Sequence, residues 1–150
     1  MLYGHTSELA IRAVMYLALQ PPGQLSPIHR IAKGTALSQP YLAKILRRLI
    51  QARVVRAFRG PGGGVELGRS PEEITLWQIK EAMEGPLRQE RCVLGPRPCS
   101  PLTPCALHER WSPLRSQIRH MLEETTVAAV LQDMNGKKSL SRRSLLRSQR

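Results

Sequence analysis

Residues 26–67 read SPIHRIAKGTALSQPYLAKILRRLIQARVVRAFRGPGGGVEL, and this stretch decides the fold. Ser26-Pro27 has the chemistry of an N-cap followed by a first-turn proline, opening a short helix through Ile28, Ile31 and Ala32. Gly34 is the expected stop, inside the link Gly34-Thr35-Ala36-Leu37. Ser38-Gln39-Pro40 starts a second helix, with Leu42, Ile45, Leu46, Leu49 and Ile50 apolar and Gln39, Lys44, Arg47 and Arg48 polar. Two short helices joined by a tight turn, the second basic, are the elements of a helix-turn-helix. An ordinary amphipathic helical hairpin carries the same pattern. The next fourteen or so residues favour the helix-turn-helix. Val54–Phe58 is rich in β-formers, Val65-Glu66-Leu67 is a shorter alternating run, and Arg59-Gly60-Pro61-Gly62-Gly63-Gly64 joins them as a glycine-rich tip. A hairpin directly after a helix-turn-helix makes a winged helix. Gly60, Gly62 and Gly63 let the tip approach a phosphate backbone closely, and Arg59 can reach into a minor groove. The loop lacks the Gly-Lys-Ser/Thr ending of a nucleotide-binding P-loop.

Upstream, Ser7–Leu19 has helical apolar spacing with Ser7 as a candidate N-cap, and Pro21-Pro22-Gly23 breaks the chain. Downstream, Pro71–Glu84 reads as a cap and helix that Gly85 stops. Residues 85–104 carry five prolines, at 86, 96, 98, 101 and 104, and show no helix or strand pattern. From Leu107 the apolar positions 107, 111, 114, 118 and 121 alternate gaps of four and three, with 122 adjacent, a seam for a longer helix. Trp111, Leu114, Ile118, Met121 and Leu122 would bury against a second copy or against their own domain. Pro113 either kinks this helix or sets its start after Ser112. Thr126 is placed to cap a short last helix ending near Met134. The expected organisation is a winged helix-turn-helix over 1–84, a cysteine-bearing loop over 85–105, a dimerisation helix and short terminal helix over 106–134, and a basic, disordered tail over 135–150. The class is mainly α with a small β-hairpin.

Charge says what such a domain meets. The chain holds 23 Lys+Arg against 11 Asp+Glu in 150 residues, a net charge of +12. Residues 1–69 hold 10 basic and 2 acidic side chains, residues 70–135 hold 7 and 9, and the last fifteen hold 6 and none. A basic winged half attracts a polyanion, and the basic tail either adds sequence-independent affinity or only solvates the chain. The longest apolar run, Ala13–Leu19, is far short of the roughly 20 residues that span a membrane. No basic start and apolar segment suggest a signal peptide, so the expected compartment is the cytoplasm.

Three cysteines are too few for a disulfide scaffold. Their spacing, Cys92-x6-Cys99-x5-Cys105, fits neither the paired Cys-x2–4-Cys of zinc sites nor the common ferredoxin run. Three thiols in a short, proline-stiffened loop can still converge on one thiophilic metal centre. Arg88, Arg91 and Arg97 surround them with positive charge. A fourth ligand is needed. His108, one helical turn past Cys105, is one candidate, and Glu8, supplied by a partner subunit's first helix, is another. His5, His29 and His120 read as surface residues.

In this order, Ser38-x-x-Tyr41-Leu42, the Arg59–Gly64 tip, Glu84-Gly85, the three spaced cysteines, His108 with Trp111, and Thr125-Thr126 resemble the Rrf-type regulators. This bacterial winged-helix family includes the iron–sulfur regulators IscR, NsrR and RirA. The resemblance covers about residues 1–134. It implies a homodimer joined by the long C-terminal helix, a double-stranded DNA operator, and an iron–sulfur cluster (2Fe–2S or 4Fe–4S) whose occupancy changes DNA binding. It implies that Cys92, Cys99 and Cys105 are cluster ligands. His108 is similar to the histidine ligand of the biogenesis regulator, and Glu8 to the carboxylate that ligates across the dimer in nitric-oxide sensors. The first gap is x6 where the biogenesis regulator has x5, and Ala43 stands where members often carry Glu.

The expected function is therefore a dimeric transcriptional regulator sensing iron, redox state or nitric oxide, with no enzyme activity, membrane partner or small-molecule substrate. Ser38, Gln39, Tyr41 and Lys44 would read bases, and Arg47, Arg48 and Arg59 would meet phosphate or a groove. The same residues also allow a regulator using the cysteines as a thiol switch or zinc site, and a winged-helix module binding RNA or protein. No nucleophile–base constellation supports an enzyme.

Overall fold

A computed structural model describes residues 4–85, 92–95 and 99–136. Among these residues, six helices and one two-stranded antiparallel sheet run in the order α1 (His5–Ala18), α2 (Ile28–Thr35), α3 (Gln39–Gln51), β1 (Val55–Phe58), β2 (Gly64–Leu67), α4 (Leu76–Glu84), α5 (His108–Glu124) and α6 (Val127–Gly136). The expected winged helix is present. β1 and β2 pair with Val55 opposite Leu67 and Phe58 opposite Gly64. Arg88, Arg91 and Arg97, the prolines at 86, 96 and 98, and most of the basic tail lie outside the described residues.

One core sets these elements. Ala10, Ala13 and Val14 of α1, Ile31 of α2, and Leu42, Ile45 and Leu49 of α3 are buried with Val54, Val55, Ile74 and Ile79. Each large aliphatic side chain so buried contributes about 1.5–3 kcal/mol. Val127 and Met134 of α6 join the same core, so it draws on both sides of the cysteine loop. An antiparallel bridge fixes that return: Leu76 N–H donates to the Thr125 carbonyl at 3.0 Å, and Val127 N–H to the Ile74 carbonyl at 2.8 Å.

Several local expectations are corrected. α1 opens after Gly4, and Ser7 lies buried inside the helix, its hydroxyl donating to Glu84. Ser26 is not a side-chain cap. It forms a bridge to Val65, with each backbone N–H donating to the other's carbonyl at 2.9 Å, so the wing gains a third strand position. α2 does not stop at Gly34, which is helical and packs beneath the Tyr16 ring; a Cβ there would sit 2.2 Å from Tyr16 Cε2. The turn is made by Ala36, at φ 57°. α4 starts at Thr75, not Pro71: Thr75 Oγ1 accepts the Gln78 N–H and Gln78 Oε1 accepts the Thr75 N–H, both at 3.2 Å. Thr126 does cap α6, accepting the Ala129 N–H at 3.1 Å. α5 begins at His108 and runs through Pro113. Among the described residues no helix is long and apolar enough to cross a membrane.

Candidate metal centre and nucleic-acid interface

The cysteine sulfurs converge. Cys92, Cys99 and Cys105 place their Sγ atoms within 4.8 Å of one another. The Cys92 thiol donates to Cys105 at 3.1 Å, and Cys99 lies 3.5 Å from Cys105. Their positions come from three local devices. Cys92 heads a turn in which the Leu94 N–H donates to its sulfur at 3.4 Å. Ser100 and Thr103 close a small loop between Cys99 and Cys105 by a backbone bond of 3.0 Å and a hydroxyl contact of 3.1 Å. The Cys105 carbonyl accepts the His108 N–H at 3.0 Å, at the start of α5.

His108 belongs to this group through Cys99. Its Nδ1 lies 3.1 Å from Cys99 Sγ, and the two are 7% and 4% exposed. Glu8 is not in the group within its own chain. It is exposed on α1, where it accepts from Arg12 Nη2 at 3.0 Å and pairs with His5 at 3.5 Å. Three thiols and an imidazole form a soft donor set of the kind iron–sulfur and zinc centres use. Such a centre fits these residues: Cys92, Cys99 and Cys105 would hold it, and His108 stands beside Cys99.

The loop is fastened at its start by Glu84, which in the sequence is legible only as part of a motif. Its carboxylate accepts from the Gly4 N–H and from Ser7 Oγ, both at 2.6 Å, and pairs with Lys80 at 3.2 Å. Burial pushes this carboxyl upward, but those hydrogen bonds and the Lys80 ammonium together hold it below its ordinary value of 4.5. Lys80 also lies 5.0 Å from the centre of the Trp77 ring, and Arg119 of α5 lies 4.9 Å from it. Trp77 thus joins α4 to α5 through cation–π contacts.

On the helix-turn-helix, Ser38, Gln39, Lys44 and Arg47 lie at the start and along one face of α3, and all four are exposed. Tyr41 differs from these four. It is half-buried, packs against the core and shares a 3.1 Å hydrogen bond with Thr6 Oγ1, so it also anchors α3 to α1. Arg48 is exposed but donates Nη1 to the Met83 carbonyl at 2.7 Å, bracing α3 on α4. In the wing, Arg59, Gly60 and Gly62 are exposed and Gly63 is half-buried. Gly64 is where the wing meets the entry to α2; a Cβ there would lie 2.8 Å from the Ser26 carbonyl carbon.

On α5, Leu114 is 51% and Met121 49% exposed, whereas Trp111 and Ile118 are half-buried. Leu122, by contrast, is 2% exposed and buried within its own chain. Of the 17 residues of α5 only His108 and Leu122 are buried.

A helix-turn-helix-type transcriptional regulator of Aquifex aeolicus is 36% identical over 129 residues, 85% of this chain and 89% of that protein. IscR of Aliivibrio salmonicida is 29% identical over 124 residues, 83% and 73% of the two chains. The structure of CymR, the global cysteine regulator of Bacillus subtilis, superposes with a TM-score of 0.71 at 25% identity, covering 87% of this chain and 95% of that one. The model of the Rrf2 family, iron-dependent transcriptional regulators, matches residues 3–133, and the chain therefore belongs to that DNA-binding family.

Proposed function

We propose that this protein is a homodimeric transcriptional regulator whose cysteine loop holds an iron–sulfur cluster and whose DNA binding follows the state of that loop. The convergence of the three thiols, with His108 Nδ1 beside Cys99, carries the reading. The family's description as iron-dependent and the resemblance to cluster-holding regulators support it. When bound, the cluster supplies the electron-transfer and ligand-exchange chemistry that iron supply, oxidants or nitric oxide alter. Cys99 and His108 tie the loop to the start of α5, and Glu84 ties its other end to α1. Rearrangement of the loop is thereby felt at both helices.

Two copies meet along α5. A 17-residue helix that buries only two of its side chains on its own domain needs another apolar surface. Trp111, Leu114, Ile118 and Met121 provide it. Two-fold symmetry then calls for a roughly palindromic operator, with Ser38, Gln39 and Lys44 at base edges and Arg47 and Arg59 at the backbone or minor groove. A regulator of bacterial DNA works in the cytoplasm, where its operator is.

Anaerobic purification with iron, sulfide and visible-absorption measurements tests the cluster. Iron and sulfide near stoichiometry, lost together from Cys92→Ala, Cys99→Ala and Cys105→Ala, is the expected result. Full retention in all three variants, or a protein that stays colourless after reconstitution, overturns it. Binding of loaded and stripped protein to a pool of random duplexes then shows whether the loop governs DNA recognition.

A further inference from the structure

The three thiols are not equivalent, and the difference assigns them a second chemistry. Cys99 is buried and occupied by His108, whereas Cys92 and Cys105 are half-exposed and their sulfurs are 3.1 Å apart. A disulfide needs about 2.05 Å, so a shift of about 1 Å closes this pair. Cys99 must leave its histidine to reach Cys105 from 3.5 Å. The Cys92–Cys105 bridge also spans the longer separation, 13 residues against 6, so it removes more freedom from the loop.

We propose that, in the metal-free protein, Cys92 and Cys105 form a reversible disulfide that bars the loop from reloading, with Cys99 remaining a thiol beside His108. The inference rests on the reading of these cysteines as the sensory site. The oxidant is a hydroperoxide. One sulfur attacks its O–O bond, giving a sulfenic acid and releasing the alcohol, or water from hydrogen peroxide. The second thiol then displaces water from that sulfur. Two thiols lose two electrons and two protons in all, and the peroxide is reduced by the same two electrons. Exchange with a dithiol reverses the bond. Oxidation removes two of the three sulfur ligands at once, so it holds the chain in its stripped state after the oxidant has gone.

The test uses the full chain, stripped of iron under anaerobic reducing conditions, then treated with stoichiometric hydrogen peroxide and alkylated. Arg97 is followed by Pro98, so trypsin leaves Cys92 and Cys105 on one peptide. Chymotryptic cleavage after Leu94 and Leu102 separates every cysteine from the next. The expected product is a Cys92–Cys105 cross-link with Cys99 alkylated. Cys99→Ser should oxidise at the wild-type rate, and Cys92→Ser about tenfold more slowly. The oxidised wild type should take up no iron and sulfide until treated with dithiothreitol. A cross-link through Cys99, a bridge between chains, or three alkylated cysteines overturns the inference. Failure of the reduced wild type to load iron and sulfide overturns the cluster instead, and the cross-link map is read independently of it.

Discussion

The Glu84 carboxylate accepts the Ser7 hydroxyl at 2.6 Å, joining the last residue of α4 to the first turns of α1. Two segments far apart in the chain meet at this bond, immediately before the cysteine loop. Glu84→Ala should cost about 3 kcal/mol, because it strands the buried Lys80 ammonium and the Ser7 and Gly4 donors. Glu84→Gln keeps an acceptor oxygen and should cost about half of that. Denaturant unfolding measures both. The folded carboxyl lies below its unfolded value of 4.5, so its stabilisation is fully present above that pH and is lost as pH falls through the folded value. The acid limb of the wild-type stability curve should therefore flatten in Glu84→Gln.

Gly64→Ala should loosen the wing. Its new Cβ would sit 2.8–2.9 Å from the Ser26 backbone, which is held in the bridge to Val65 and cannot give way as a side-chain tip could. A loss of about 1–3 kcal/mol is expected, with weaker duplex binding and unchanged iron content. Unfolding curves and DNA titrations on one preparation check it; unaltered stability would remove the bridge from the account.

Ala36 holds φ 57° in the turn between α2 and α3, where the Leu37 N–H donates to the Ala32 carbonyl at 3.0 Å. Glycine adopts this conformation without the Cβ penalty. Ala36→Gly should stabilise the protein by about 0.5–1 kcal/mol, after the entropy glycine adds to the unfolded chain. A thermal melt shows the sign directly.

Met121 and Leu122 are neighbours with opposite exposure, 49% against 2%. Leu122→Ala should cost about 2–5 kcal/mol within the protomer. Met121→Glu, especially with Leu114→Glu, should leave the protomer's fold intact and give a monomer in sedimentation analysis. A dimer that survives the double change would locate the interface elsewhere.

Periodicity makes α3, the wing and α5 legible, because their apolar positions repeat where the core lies and glycine marks the hairpin tip. Ser7, Ser26 and Gly34 mislead for one reason. Each has a residue type that caps or ends helices locally, yet each serves a partner supplied from elsewhere in the chain: Glu84, Val65 and Tyr16. The Thr75-x-x-Gln78 box, by contrast, is a start signal written in the sequence and overshadowed by the nearby proline at 71. Leu122 fits the seam by spacing, but spacing does not say on which side of a helix its own domain lies. The cysteine site is visible as composition and spacing. The unequal burial of its thiols is not, since that depends on where α5 begins and on the His108 ring.

The bridge of Ile74 and Leu76 with Thr125 and Val127 brings together the two ends of the excursion that contains α4, the cysteine loop and α5. An excursion anchored at a common base can gain or lose residues at little cost, since lengthening a closed loop is penalised only logarithmically. The winged helix need not be redesigned when a cysteine gap grows from five residues to six. Cysteine spacing is therefore a variable that this architecture can retune while its winged helix stays the same.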